Sequence, residues 1–283
     1  MALPNLSNSM TMGRMRYVQS VRESGERRNP DTLARYFLPM RERWRYAWLG
    51  RKALAALRAN PFYYYLVART KHYDSLFVGA VADGVQQIIN VGCGSDTRAY
   101  RFEGVLRRER VSVLECDQPE AIYAKHEAVK RWGPFEYVEY LPVDLNHDTW
   151  PEFERWLSMN TRAKVMLLME GVSPYIDENA FRRFLSLLSN HLPAGSQVAY
   201  DFKLRGADDA FGRAGRTRMP FRLSAVREEV AAFHEELGLR LEHMELSSEL
   251  SERLLPCLTQ STASVFREDG LVRLQVRMPA GSS

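Results

Sequence analysis

Residues 86–102 read Gln-Gln-Ile-Ile-Asn-Val-Gly-Cys-Gly-Ser-Asp-Thr-Arg-Ala-Tyr-Arg-Phe, and no other stretch restricts the fold as tightly. Ile88, Ile89 and Val91 form a short β-branched run suited to a buried strand. Gly92 and Gly94 follow at once. A residue without a β-carbon accepts left-handed dihedrals and lets the backbone approach a ligand closely. Asp96 and Thr97 stand where a helix would begin. At about the 20-residue distance expected of such units, Glu115 and Asp117 close a second strand-like run, Val111–Leu114. A carboxylate there can take both hydroxyls of an adenosine ribose. Together these features read as a nucleoside-cofactor site at the edge of a parallel sheet.

The same residues bear on which cofactor fits. A dinucleotide fingerprint carries a third glycine three residues after Gly94, where helix and strand pack closely and a pyrophosphate meets the helix terminus. Thr97 occupies that position here, and Asp96 brings a negative charge beside it. An anion is repelled by such a charge, whereas the sulfonium and ammonium of S-adenosylmethionine are not. The residues therefore favour S-adenosylmethionine over NAD.

At 283 residues the chain can hold one large domain or two small ones. No apolar run approaches the roughly 20 residues of a membrane span, and Met1–Gly13 lacks a charged segment followed by an apolar core. Cys93, Cys116 and Cys257 form neither a paired framework nor a metal-ligand spacing, so no metal is expected. Cys93 reads as a small residue lining the cofactor turn rather than as a nucleophile. A reduced, cytoplasmic setting is the expectation. The net charge of +4 is unevenly spread: residues 1–60 hold 12 Lys and Arg against 4 Asp and Glu, and the remainder holds 27 against 31.

Residues 1–82 read as an N-terminal helical cap and residues 83–283 as the core. Met10–Ser24 has helical spacing of Met12, Met15 and Val18, and Asp31 is a candidate N-cap for a helix through Arg35 and Phe37. Residues 41–58 predict one basic amphipathic helix, closed by Asn60-Pro61. Beyond the cap, strands at 86–92, 110–116, 136–143, 164–170 and 196–202 alternate with helices at 96–107, 119–131, 150–160, 178–191 and 224–237. Alternation of this kind predicts an α/β doubly wound, mostly parallel sheet. The final strand-like runs at 240–246, 261–268 and 271–277 break the alternation. Asp269-Gly270 predicts a hairpin, so the sheet should end antiparallel. That ending suits a class I S-adenosylmethionine-dependent methyltransferase, which is Rossmann-like, better than a dehydrogenase.

Ligands of such sheets bind at the carboxyl ends of the strands. The third strand ends at Asp144 and Leu145, placed to receive the adenine, and the fourth ends at Glu170, placed for an ammonium. Two longer motifs then carry a resemblance. Arg69-Thr-Lys-His-Tyr-Asp74 and Asn90-Val-Gly-Cys-Gly-Ser-Asp-Thr-Arg98, with Tyr100-Arg101, Glu115-Cys-Asp-Gln-Pro119 and Glu170-Gly-Val-Ser-Pro-Tyr175, resemble the leucine carboxyl methyltransferase family. That family includes protein phosphatase methyltransferases and tetracenomycin-type polyketide O-methyltransferases. The resemblance runs over about residues 12–202, and the last 80 residues or so match only in layout.

By this resemblance Arg69 grips the methionine carboxylate of the cofactor, Gly92 and Gly94 line the turn with Asp96, and Asp117 rather than Glu115 takes the ribose. Asp144 and Leu145 take the adenine, and Glu170 the amino group. The stretch Thr11–Leu38, with Arg-Arg-Asn-Pro-Asp and Tyr-Phe-Leu-Pro, resembles the small-molecule branch, in which N-terminal helices form a lid over the acceptor. Met12, Met15, Tyr17 and the run Tyr63–Tyr65 are candidate pocket walls, together with Tyr175. The implied reaction is O-methylation of a carboxyl or hydroxyl group on a polyketide-like small molecule. The basic N-terminal face raises an acyl carrier protein as holder of that acceptor. A carboxylate acceptor needs no base; for a phenol or enol, His72, Tyr73, Tyr175 and Asp201 are the candidates. Neither nucleic acid nor membrane is expected as a partner. Two other readings stay open: methyl esterification of a protein C-terminal leucine, and a non-catalytic or nucleic-acid-binding protein of the same fold, which would bind DNA or RNA through residues 14–58.

Overall fold

The computed structural model describes residues 8–147, 149–206, 221–258 and 265–277. Among the described residues, eight strands form one sheet: β1 (Gln87–Val91), β2 (Ser112–Asp117), β3 (Val138–Pro142), β4 (Val165–Met169), β5 (Gln197–Leu204), β6 (Arg222–Leu223), β7 (Leu239–Leu246) and β8 (Asp269–Val276). Their order is β3-β2-β1-β4-β5-β8-β7, with the short β6 beside β5. Strands β1 to β6 pair in parallel, whereas β8 runs antiparallel to both β5 and β7. The chain starts in the middle at β1, moves outward to β3, and returns to the other side of β1 at β4. The crevice outside the carboxyl ends of β1 and β4 is therefore the topological switch point.

The predicted antiparallel ending stands, but its hairpin does not. Asp269 and Gly270 lie inside β8, with Asp269 opposite Lys203 and Gly270 opposite Phe202. A β-carbon on Gly270 would fall 2.4 Å from Phe202 Cζ, so this glycine makes room for an aromatic ring rather than for a turn. The predicted strand at 261–268 falls partly on residues 259–264, outside the described residues, and 265–268 is not strand. The partner of β8 is instead β7, reached through helix α11 (Ser247–Leu254).

The other helices are α1 (Asn8–Arg22), α2 (Met40–Ala47), α3 (Arg51–Arg58), α4 (Pro61–Ala82), α5 (Arg98–Arg101), α6 (Glu103–Glu109), α7 (Pro119–Val129), α8 (Pro151–Asn160), α9 (Glu178–His191) and α10 (Arg227–Glu235). The single helix predicted over 41–58 is two, broken at Trp48–Gly50, where Gly50 becomes the N-cap of α3. Leu49 turns into the core at the break, and Leu54 is buried from α3. Asp31 caps the turn of 3-10 helix Thr32–Phe37 by accepting from the Ala34 amide at 2.9 Å, as its position predicts. Asn60 caps α4 in the same way through Phe62, with Pro61 in the first turn.

Alternate residues of each strand feed opposite faces of the sheet. Ile88, Met166 and Leu168 pack beneath α4 with Leu66, Tyr73, Phe77 and Val81. Ile89, Leu167 and Met169 pack beneath α8 and α9 with Phe153, Phe181, Phe184 and Leu188. The first of these cores also takes in Val18 and Leu54, so apolar packing continues from the core across residue 82 into the cap. Among the described residues no helix is long and apolar enough to cross a membrane.

Candidate functional site

Backbone geometry builds the floor of the site. Gly92 has φ +69° and Gly94 φ +38°, in the left-handed region that the sequence assigns to them. Gly92 is doubly constrained, because a β-carbon there would lie 2.1 Å from Cγ2 of Val172 in the loop after β4. The Gly94 amide donates to Asp117 Oδ2 at 2.7 Å, and the Gln118 amide donates to Asp117 Oδ1 at 2.8 Å. Asp117 is thereby fixed at the end of β2, half-buried beside the glycine turn.

Glu115 lies two residues earlier and has a different fate. It is fully buried, accepts from Tyr100 Oη at 2.6 Å and pairs with Lys125 Nζ at 2.7 Å. Burial pushes its carboxyl up despite the lysine. With its charge met internally, Glu115 has no ligand role, and of the two acids only Asp117 stays at the crevice.

Helix α4 carries Arg69 and Tyr73 one turn apart over the ends of β4 and β5. Arg69 Nε donates to Glu170 Oε1 at 3.1 Å, and its Nη1 donates to Asp201 Oδ2 at 3.0 Å. Arg98, at the start of α5, reaches the same glutamate: its Nη1 lies 2.8 Å from Glu170 Oε2 and 2.6 Å from Asp96 Oδ2. Asp96 also accepts from the Arg98 amide at 2.8 Å and from Asn90 Nδ2 at 3.0 Å. Burial opposes its charge, but Arg98, Lys125 and Arg16 hold the carboxyl well below the ordinary range. For Glu170, burial is likewise overcome by Arg98 and Arg69. Glu170 Oε2 is buried, close to a cation but without an aligned donor. It retains an acceptor direction for a further N–H group.

The network extends beyond the residues that the sequence marks for the cofactor. Asp74, also on α4, binds Arg98 Nε at 2.8 Å and Arg101 Nη2 at 2.6 Å. Arg16 on α1 donates to the carbonyl and hydroxyl of Ser95 at 2.7 and 2.8 Å and lies 3.0 Å from Asp31. Asp31 also accepts from Thr97 Oγ1 at 2.6 Å. Helix α1 is thus strapped onto the glycine turn. Sequence reasoning quoted Asp74, Arg98 and Arg101 within motifs but gave them no role; a signal lay in so many acids and arginines inside otherwise apolar segments. Five carboxylates, of Asp31, Asp74, Asp96, Glu170 and Asp201, face four guanidinium groups, of Arg16, Arg69, Arg98 and Arg101.

The remaining candidates divide. Asp144 follows β3 at the same edge, its Oδ1 accepting from the Asn146 amide at 2.9 Å, and Leu145 is buried beside Val91 and Val143 in the second core. Asn146 also donates to the Tyr175 carbonyl at 3.3 Å, which ties the loops after β3 and β4 together. Tyr175 is half-buried at that junction. Met12 and Met15 are partly buried against the core on the inner side of α1. Tyr17 is not with them: its hydroxyl donates to the Arg43 carbonyl at 3.2 Å and its ring packs with Ala34 and Leu38. It fastens α1 to its neighbours and is no pocket wall, because helical spacing turns it away from Met12 and Met15. Tyr63 is held by Glu23 at 3.0 Å, and Tyr65 lies buried beside Arg69 and Phe266.

The proton-transfer candidates are placed less favourably. Tyr73 donates to the Met169 carbonyl and to Asp201 Oδ1, both at 3.1 Å, and burial raises its phenol well above the ordinary range. It is a protonated donor that positions Asp201. His72 faces Arg253, 3.5 Å away, and Glu245, on the α11 side. Burial lowers its pKa to about 4, so it is neutral at pH 7. Burial also pushes up the Asp201 carboxyl and the Cys93 thiol.

Residues 10–189 match the family described as leucine carboxyl methyltransferase. The chain belongs to the leucine carboxyl methyltransferase family. Among similar proteins of this family, one from Mycobacterium marinum (strain ATCC BAA-535 / M), named "Putative S-adenosyl-L-methionine-dependent methyltransferase", is 32% identical over 156 residues, which is 54% of this chain and 48% of that protein. One of the same name from Mycobacterium tuberculosis (strain ATCC 25618 / H37Rv) is 30% identical over 145 residues, 50% of this chain and 46% of that protein. The chain spans about half the length of the curated relatives it matches. Magnesium protoporphyrin IX methyltransferase from Synechocystis PCC 6803, solved with bound SAH, superposes with a TM-score of 0.50 at 11% identity, covering 96% of this chain and 95% of that one. The fold is that of class I S-adenosylmethionine-dependent methyltransferases, and the strand order and switch point described above agree with it.

Proposed function

We propose that this member of the leucine carboxyl methyltransferase family transfers a methyl group from S-adenosylmethionine to an oxygen of a small molecule, with a polyketide-like carboxylate as the acceptor. The observation that carries this reading is the Arg69–Glu170 pair at the switch point, with Glu170 Oε2 lacking an aligned donor. A cation and an anion side by side suit the amino-acid end of the cofactor: Arg69 takes its carboxylate and Glu170 its ammonium. Asp117 is fixed beside the glycine turn for the ribose, and Asp144 with Leu145 borders the adenine end. The ionised Asp96 beside the glycine turn disfavours the pyrophosphate of a dinucleotide and tolerates a ligand that carries a sulfonium.

When bound, the cofactor supplies an activated methyl group whose departure neutralises the sulfonium. The protein's part is then positioning and exclusion of water. Arg69, held from two sides by Glu170 and Asp201, orients the amino-acid end. Tyr73 keeps Asp201 in place, and α1, strapped down by Arg16, covers the turn. Of the four side chains considered as bases, Tyr73 is a protonated donor to Asp201, Asp201 is paired with Arg69, and His72 faces Arg253 and Glu245, which supports an acceptor that is already ionised at pH 7. A carboxylate meets that condition and a phenol does not.

Calorimetric titration with S-adenosylmethionine tests the reading. Binding in the micromolar range is expected for the wild type, weakened about tenfold or more in Asp117→Asn and in Glu170→Gln, each of which removes one charge-assisted contact. A folded wild type that binds NAD and not S-adenosylmethionine would overturn it.

A further inference from the structure

Helix α2 has an outward face that nothing among the described residues covers. Met40, Trp44 and Trp48 follow one another at intervals of four residues and are 62%, 62% and 76% exposed. Side chains so spaced stack along one helix face, so a thioether and two indoles form a single apolar ridge. Arg41, Arg45, Arg51 and Lys52 surround it, all exposed. None of the four forms an ion pair among the described residues. Glu42 is the sole acid between Met40 and Asn60, and both its oxygens are taken by Arg14, at 2.8 and 2.9 Å. The outward charge is therefore uniformly positive.

We propose that the Met40–Trp44–Trp48 ridge with its surrounding Arg and Lys side chains docks this protein onto the surface of an anionic lipid bilayer. Indole rings partition to the headgroup level, and basic side chains beside them are drawn to anionic lipids. A ridge on a convex surface sinks into a deformable headgroup layer without a matching cavity. A nucleic acid strand, by contrast, is bound in a positively charged groove with aromatic platforms, and an acidic protein needs a complementary rigid face. The absence of a spanning segment, on which the sequence expectation of no membrane contact rested, has no bearing on a helix lying in the interface. The position of the ridge has a consequence for access. The Arg14–Glu42 pair joins α2 to α1, and Arg16 joins α1 to the glycine turn at Ser95. Docking brings the lid of the proposed cofactor site to the bilayer surface. The docking itself does not depend on the methyltransferase reading.

Sedimentation of the full chain with vesicles of phosphatidylglycerol and phosphatidylcholine, against phosphatidylcholine alone, tests this. The wild type should co-sediment with the anionic vesicles, less so as salt is raised, and hardly at all with the neutral ones. Trp44→Ala/Trp48→Ala should weaken partition about tenfold or more. Arg41→Glu/Arg45→Glu should weaken it more than the tryptophan variant does, since each positive charge removed is worth about fivefold. All four side chains are exposed, so both variants should retain the wild-type circular dichroism and melting temperature. Failure of the wild type to sediment with anionic vesicles would overturn the proposal, as would equal sedimentation of both variants. So would binding to an oligonucleotide or to an acidic carrier protein in place of vesicles.

Discussion

Arg98 shows what a single side chain does in this protein. It touches Asp74, Asp96 and Glu170 and donates to the Thr70 carbonyl at 3.2 Å, so α4, the glycine turn and the end of β4 converge on one guanidinium. A planar, permanently charged fork suits such a centre, and lysine would not replace it. The buried histidines set a limit on acid stability. His234 has Nδ1 2.6 Å from the Val230 carbonyl, which requires a proton there, so Nε2 accepts from the Tyr200 hydroxyl at 2.6 Å. Burial lowers both His72 and His234 to about 4 from the ordinary 6.5. The unfolded chain therefore binds more protons than the folded one between pH 6.5 and 4, and stability rises with pH across that window. It is complete above about pH 6.5 and falls as the pH drops toward 4. Carboxylates held low, such as Asp96 and Glu170, add their losses at still lower pH. We expect His234→Leu to lose on the order of 2 kcal/mol at pH 7.5, because Tyr200 is left unpaired. Its melting temperature should also fall roughly half as far as that of the wild type between pH 7 and pH 4.5. Calorimetric melts across that range check both.

Elements were legible where periodicity and caps agreed. Strands β1 to β5 and helices α7, α8, α9 and α10 come within a few residues of their predicted bounds, since buried strands of β-branched and apolar residues alternate there with amphipathic helices, whereas the helix predicted over 96–107 is two, α5 and α6, meeting at Phe102. Where the sequence misled, one residue type had two uses. Asp269-Gly270 carries the signature of a two-residue hairpin, yet the glycine sits mid-strand because the Phe202 ring covers its α-carbon. Gly270→Val should cost about 2 kcal/mol or more by overpacking against that ring. Replacing Phe202 with leucine in the same chain should recover part of the loss, a non-additivity that urea denaturation of the double-mutant cycle would reveal. Gly50, inside the single basic helix predicted over 41–58, is instead the N-cap of a second helix. Tyr17 was a candidate pocket wall beside Met12 and Met15, but it stands off their helical spacing, and it packs on Ala34 and Leu38 instead.

On the scale of the molecule, one sheet edge gathers the ends of β1, β2, β3, β4 and β5 while α4 and α1 close over it. Residues as far apart in sequence as Arg16 and Ser95, or Arg69 and Asp201, come within hydrogen-bond reach. S-adenosylmethionine at about 100 times its dissociation constant should raise stability by about 2.7 kcal/mol. Hydrogen exchange should slow in α1 and in the loops after β1 and β4, and stay unchanged in α8 and α9 on the opposite face; uniform protection would count against this placement. The sequence by itself determined the alternating α/β order, the glycine turn and the acids at the strand ends, because hydrophobic period, backbone dihedrals and capping are local properties. It also carried the family resemblance in contiguous motifs. The resemblance already preferred Asp117 to Glu115, and only the tertiary structure supplied the physical reason, that Glu115 is consumed by Lys125 and Tyr100. The tertiary structure alone decided that Tyr73 and His72 are spoken for, and that Trp44 and Trp48 face outward. Those outcomes depend on which distant side chain arrives to meet each charge or ring, and burial and pairing across the sheet settle that, not spacing along the chain.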